Sequence, residues 1–149
     1  MPIMLGKNKI SKLTGGGQWN ATVISNVGFG TFNLAFGVGQ TNKNLGIGVS
    51  IVSSEHLYDP DINAIFVGFH LKSDGTYDIL NLGKKINTNG SLPYNSNSIF
   101  SMSFDKVKFT ITLDGVTVGS FGFNGDAPAY VYALDCTFFD TGGGLTDFI

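Results

Sequence analysis

The sequence predicts an all-β protein, folded as an antiparallel two-sheet sandwich of the jelly-roll kind. Three observations carry that prediction. Glycine supplies 21 and phenylalanine 13 of the 149 residues, while glutamate occurs once, at Glu55, and arginine never. Aromatic and β-branched side chains suit a pleated, half-buried surface, and glycine marks turns and close backbone approaches. The stretch Ile99 to Asn124 reads as strands joined by a tight turn. Phe109, Ile111 and Leu113 alternate with Thr110 and Thr112, Asp114-Gly115 supplies the positive φ angles of a two-residue hairpin, and Val116, Val118 and Phe121 continue beyond it. Helical periodicity is absent throughout, and many short strands separated by turns describe a sandwich.

In chain order, the first element is a basic arm. Lys7, Lys9 and Lys12 lie in the first 14 residues, which leaves six lysines against 11 acids for an acidic body. Gly15-Gly16-Gly17 then leaves the backbone unconstrained, so the expected division is an arm and joint over 1–17, a sandwich over 18–140 and a glycine-rich tail over 141–149. The strand candidates are Trp19 to Ser25, Thr31 to Val38, Leu45 to Ser53, Ala64 to Lys72, Thr76 to Leu82, Ile99 to Phe104, Val107 to Leu113, Val116 to Phe123 and Ala129 to Phe139. Asp74-Gly75 joins two of these runs as Asp114-Gly115 joins two others, and Asn89-Gly90 sits in a longer loop.

Composition excludes several functions. A chain of this length fits one domain and buries roughly two-thirds of the surface its unfolded form exposes, so it needs no disulfide. Cys136, the lone cysteine, lies in the apolar run Tyr130 to Phe139 and reads as a buried, inert thiol. Without arginine, and at net charge −2, the chain lacks the side chain that forks onto phosphate or guanine, so nucleic acid is not an expected partner. No run of about 18 apolar residues is present for membrane insertion. The arm has no apolar core or small-residue cleavage site, so it does not read as a secretory signal and synthesis in the cytoplasm is expected.

The motifs that carry chemistry are sparse. Gly-x-Gly pairs at Gly28/Gly30, Gly37/Gly39 and Gly46/Gly48 are followed by no helix, so they read as bulges or close sheet contacts rather than phosphate loops. Asp59-Pro60-Asp61-Ile62-Asn63 has the opening of a calcium loop, but Ala64 stands where an EF-hand requires glycine and His70 where it requires glutamate; a solvated turn capped by Asx hydrogen bonds accounts better for it. No metal or other cofactor is expected. Glycoside hydrolysis needs two carboxyl groups flanking the scissile bond, whereas Glu55 stands alone and Asp74 and Asp114 occupy turns. His56 and His70 have no serine or cysteine partner by spacing, so no enzyme is expected. Trp19, at the start of the first strand, reads as core.

Two longer loops are the expected binding regions, since loops vary while a sandwich holds them. Ser53 to Asn63 carries His56, Tyr58, Asp59 and Asp61; Lys84 to Ser98 carries Tyr94, Asn95 and Asn97 among five asparagines. Tyr58 and Tyr94 are the expected stacking rings, each amphipathic and set in a polar loop.

The order Phe104-Asp105, short turn, Phe109-x-x-x-x-Asp114-Gly115-x-x-x-Gly119-x-Phe121 resembles the core of SPRY and related concanavalin-like lectin domains. Leu45-Gly46-Ile47-Gly48-Val49-Ser50, Val67-Gly68-Phe69-His70 with Asp74-Gly75, Gly119-Ser120-Phe121 and Ala129-Tyr130-Val131-Tyr132 resemble further segments in the same order, over about Gln18 to Phe139. The family's tryptophan-bearing strand is replaced by Thr31 to Val38, and the turn after Asp105 is short. These departures resemble the divergent domains of viral and phage fibre proteins.

The resemblance implies a non-enzymatic surface protein of a virion, a fibre or spike head that recognises a cell-surface glycan or protein receptor through its loops, with the arm bound to virion or tail proteins. Its alternative is a SPRY-like module that grips a protein or peptide, and a third reading is a purely structural collar subunit. The terminal Phe148 and Ile149 add an expectation of a homo-oligomer, a trimer if they pack between subunits.

Overall fold

The computed structural model describes residues 3–6, 9–12, 14, 16–25, 28–55, 57–59, 62–81, 84–87, 93–123, 128–140 and 142–146. Thirteen strands are found among them: β1 (Ile3–Gly6), β2 (Lys9–Lys12), β3 (Ala21–Ile24), β4 (Phe32–Gly37), β5 (Leu45–Ile51), β6 (Val67–Leu71), β7 (Tyr77–Asn81), β8 (Lys84–Asn87), β9 (Ile99–Phe104), β10 (Lys108–Leu113), β11 (Val116–Gly122), β12 (Tyr132–Phe138) and β13 (Gly144–Thr146), with one 3-10 turn at Ile62–Ala64. They form two antiparallel sheets. One runs β1-β2-β13-β4-β9-β10-β11 and the other β3-β12-β5-β6-β7-β8.

Alternation in sequence becomes alternation in burial. Phe109, Ile111 and Leu113 of β10 are fully buried between the sheets, while Thr110 and Thr112 face outward, where Thr112 meets the Ser101 hydroxyl across the ladder. Phe36, Phe69 and Phe100 interlock, Phe36 stacked on Phe100 at 5.3 Å and Phe69 edge-on to it at 4.9 Å. Cys136 belongs to this core, and burial pushes its thiol well above the usual range.

The glycines of β5 have a separate task on the outer face of their sheet. A β-carbon at Gly46 would stand 2.9 Å from the Ile65 Cδ1 atom and 3.0 Å from Ile62, while one at Gly48 would stand 2.1 Å from the Val67 carbonyl oxygen of the paired strand and 2.7 Å from the Ile65 side chain. The strand is bare so that the segment carrying the 3-10 turn can lie on it. Ser50, next on that face, lies within hydrogen-bond distance of the Ala64 carbonyl, 2.7 Å, and of Asp135 Oδ2, 2.6 Å; Thr22 donates to Asp135 Oδ1.

Two expectations change. The arm and the tail are not outside the sandwich: β2 pairs with β13, and β13 with β4 through Thr146 and Gly37. Lys12 is fully buried, its ammonium donating to the carbonyls of Gly16, Gln18 and Phe139 at 3.0, 2.8 and 2.8 Å. Burial draws its pKa below the usual lysine range, with Asp140 acting in the opposite direction. Trp19, expected in the core, is half-buried on the outer face, edge-on to His70 and Phe139. The terminal Phe148 and Ile149 lie outside the described residues.

Candidate functional site

Strand register sorts the connections to two ends of the sandwich. At one end Ile51 of β5 pairs with Tyr132 of β12, Ile24 of β3 with Asp135, and Phe32 of β4 with Phe104 of β9. The described residues of the connections 25–31, 52–66, 105–107 and 123–131 lie there. At the other end Leu45 pairs with Leu71 and Phe138, and Gly37 with Ile99.

The two loops expected to form one site emerge at opposite ends. Tyr58 stands at the first end, 77% exposed. Tyr94 stands at the second and is only 7% exposed, edge-on to Tyr77 and Phe100 at 6.1 and 5.4 Å. Its ring belongs to the core, and burial, with a smaller contribution from Asp74, pushes the phenol up to about 12. Asn95 builds a turn: its side-chain oxygen accepts from the Asn97 N–H at 2.8 Å, and its own N–H donates to the Ser98 hydroxyl. Asn97 is exposed beside it. Asp59 is half-buried next to Tyr58, whereas His56 and Asp61 lie outside the described residues.

What the structure gathers around Tyr58 is apolar. Phe29 is 40% exposed, Val131 46% and Val52 42%, with Tyr130 also at the surface. They are neighbours because Phe29 exchanges two backbone hydrogen bonds with Tyr132, 2.7 and 2.8 Å, and Val52 donates to the Val131 carbonyl at 2.9 Å. A β-carbon at Gly28 would stand 2.4 Å from Val131 Cγ1, so the absent side chain is what lets the loop close against it.

Two cavities open beside the 25–31 connection. One of about 270 Å³ enters between the sheets, walled by Phe29, Phe32, Leu34, Val49 and Leu134. Another of about 290 Å³ lies on the outer side, walled by Ile24, Val52, Leu57, Tyr58 and Ala133, and Ser25 lines both. Phe32, a wall of the first cavity, joins it to an aromatic cluster of the core, with ring contacts to Phe104, Phe109 and Tyr132. Tyr132 is fully buried with Phe66, Phe104, Phe109 and Tyr130 around it at 6.3, 5.5, 5.5 and 6.3 Å, and burial raises its phenol to about 12. Exposed apolar residues held together beside such cavities are the physical mark of a recognition surface.

Sequence reasoning found Tyr58 and missed Phe29, Val52, Tyr130 and Val131. Signals existed: Phe29 stands between Gly28 and Gly30 in an inter-strand loop, and Pro128 stands immediately before the run assigned to a strand from Ala129. The ladder there begins at Tyr132, leaving Ala129 to Val131 at the surface.

His70, by contrast, has a structural setting. Its Nδ1 stands 3.9 Å from Asp78 Oδ2, and Lys72 pairs with the same carboxylate at 3.1 Å.

No family model matches the sequence, and no curated protein matches it. Solved structures do. A human SPRY domain superposes with a TM-score of 0.65 over 98% of this chain and 94% of its own, at 12% identity. The PSpry domain of TRIM65 gives 0.65 over 97% and 82%, at 14% identity. A putative glycosyl hydrolase from Parabacteroides distasonis gives 0.69 over 99% and 82%, at 10% identity. At such identities the likeness is one of fold. The chain has the SPRY fold, a concanavalin-like antiparallel sandwich.

Proposed function

We propose that the chain is a non-enzymatic, SPRY-like module that binds a protein or peptide at the Tyr58 end. The observation that carries this reading is the contiguity of Phe29, Val52, Tyr58 and Val131, exposed around two apolar cavities at one end of the sandwich. Such a surface offers anchoring pockets to side chains, and a few buried anchors dominate the affinity of peptide grooves. Nothing at this end favours a glycan, because the two rings expected to stack on a sugar are at opposite ends. A likeness to a putative hydrolase concerns the fold.

The test is site-specific photo-crosslinking in an extract of the source cells. A crosslinker in place of Tyr58 should capture a discrete protein, and one in place of Val116, exposed at the opposite end, should not. Capture at Val116 with none at Tyr58 contradicts the proposal.

A further inference from the structure

Resting on the reading of the Tyr58 end as a peptide site, we propose that the segment it takes is basic, an apolar anchor flanked by lysines or arginines. In sequence, the four connections that run at this end, 25–31, 52–66, 105–107 and 123–131, contain Glu55, Asp59, Asp61, Asp105 and Asp126 against a single lysine, Lys106, and the chain has no arginine. Among the described acids, Glu55 is exposed three residues before Tyr58 and Asp59 is half-buried directly after it. Lys106 stands at the edge of this end, lining a cavity with Phe104, Pro128 and Ala129, whereas Lys84 and Lys85 lie on β8, three strands from β5 across the sheet.

Apolar pockets supply affinity without choosing among hydrophobic segments; the sign of the surrounding charge chooses. A lysine or arginine beside the anchor can lay its apolar stem along Val52 and its cationic head toward the carboxylates, with the face of the exposed Tyr58 ring open to it. An acidic segment would meet like charge from Glu55 and Asp59 beside Tyr58.

Panning a random-peptide display library against the full chain at low salt tests this. The enriched peptides should carry an aliphatic or aromatic anchor flanked by Lys or Arg, and their binding should fall with added salt. The double variant Glu55→Lys, Asp59→Lys should weaken their binding to the folded fraction about tenfold, and Tyr58→Ala should weaken it as well. Neutral or acidic peptides that still depend on Tyr58 would overturn the basic class and leave the site standing. Peptides indifferent to Tyr58→Ala, or no enrichment at all, would overturn both. Concentration-dependent self-association lost in Tyr58→Ala would replace the peptide by a second copy of this chain, and so also overturn the proposal.

Discussion

Asp114 shows how one residue type can satisfy several constraints. Its φ of 49° and that of Gly115, 80°, make the two-residue turn, while its carboxylate accepts from the Ile99 N–H and the Ser98 hydroxyl at 2.8 and 2.9 Å. Asp114→Ala loses both hydrogen bonds and strains the left-handed backbone, so it should destabilise by about 1–2 kcal/mol in chemical denaturation. Asp114→Asn, which tolerates that backbone and keeps an acceptor, should lose less. The two tyrosines expected to act together separate cleanly. Tyr94→Ala should cost about 3 kcal/mol, as large-to-small changes in a core do, and leave binding by the folded fraction intact. Tyr58→Ala should change stability by no more than about 0.5 kcal/mol and weaken the ligand by about 2 kcal/mol. Sequence alone gave the two rings equal standing, since both sit in polar loops; only the register that puts Tyr94 beside Tyr77 and Phe100 tells them apart.

At the scale of elements, the sequence is legible wherever alternation is long enough to declare a buried face. All nine expected strands are present, trimmed at their ends, and β9 spans the expected Ile99–Phe104. The strands it did not declare, β1, β2, β8 and β13, are three or four residues long. Such pieces have too few side chains to show a period, and pairing rather than propensity makes them strands. The bare glycines of β5 were legible as a close approach but not what approaches: Ile62 and Ile65 come from the segment that also carries Tyr58. Gly46→Val therefore has an effect at a distance, since its side chain would meet Ile65 and Ile62 first. It should displace the 62–65 segment, destabilise by about 2 kcal/mol and speed hydrogen exchange over the described residues of that segment, with weakened ligand binding as the consequence. Slow exchange there in a normally melting Gly46→Val variant would contradict the packing described.

Over the whole molecule, charge sets the limits of stability. Asp74 is held below its usual 3.8 by hydrogen bonds, first from the Thr76 hydroxyl and then from its N–H; Asp105 is lowered by the N–H groups of Lys108 and Val107. Both favour the ionised form in the folded state, so their contribution is fully present above the usual value and is lost as pH falls through the lowered one. Tyr94 and Tyr132 act at the other limit. Their raised values favour the neutral phenol in the folded state, so stability is intact below about pH 10 and declines as pH rises from there through about 12. A melting-temperature profile should show both flanks, and Asp105→Asn should soften the acid one. The fold was legible at this scale because turn chemistry and composition repeat along the chain. The site was only half legible: one loop declared itself by polarity, but contiguity of Phe29, Val52 and Val131 is made by strand ends from distant parts of the sequence.

The central claim is that this molecule recognises its ligand at the end where Tyr58 stands. Chemical-shift mapping of the isotopically labelled full chain, titrated with the peptide most enriched by panning, tests it most directly. Perturbations should centre on Ser25, Phe29, Val52, Tyr58, Tyr130 and Val131, leaving Lys43, Asp74, Asn97 and Val116 unmoved. Perturbations centred on those last four, at the opposite end of the sandwich, would contradict it.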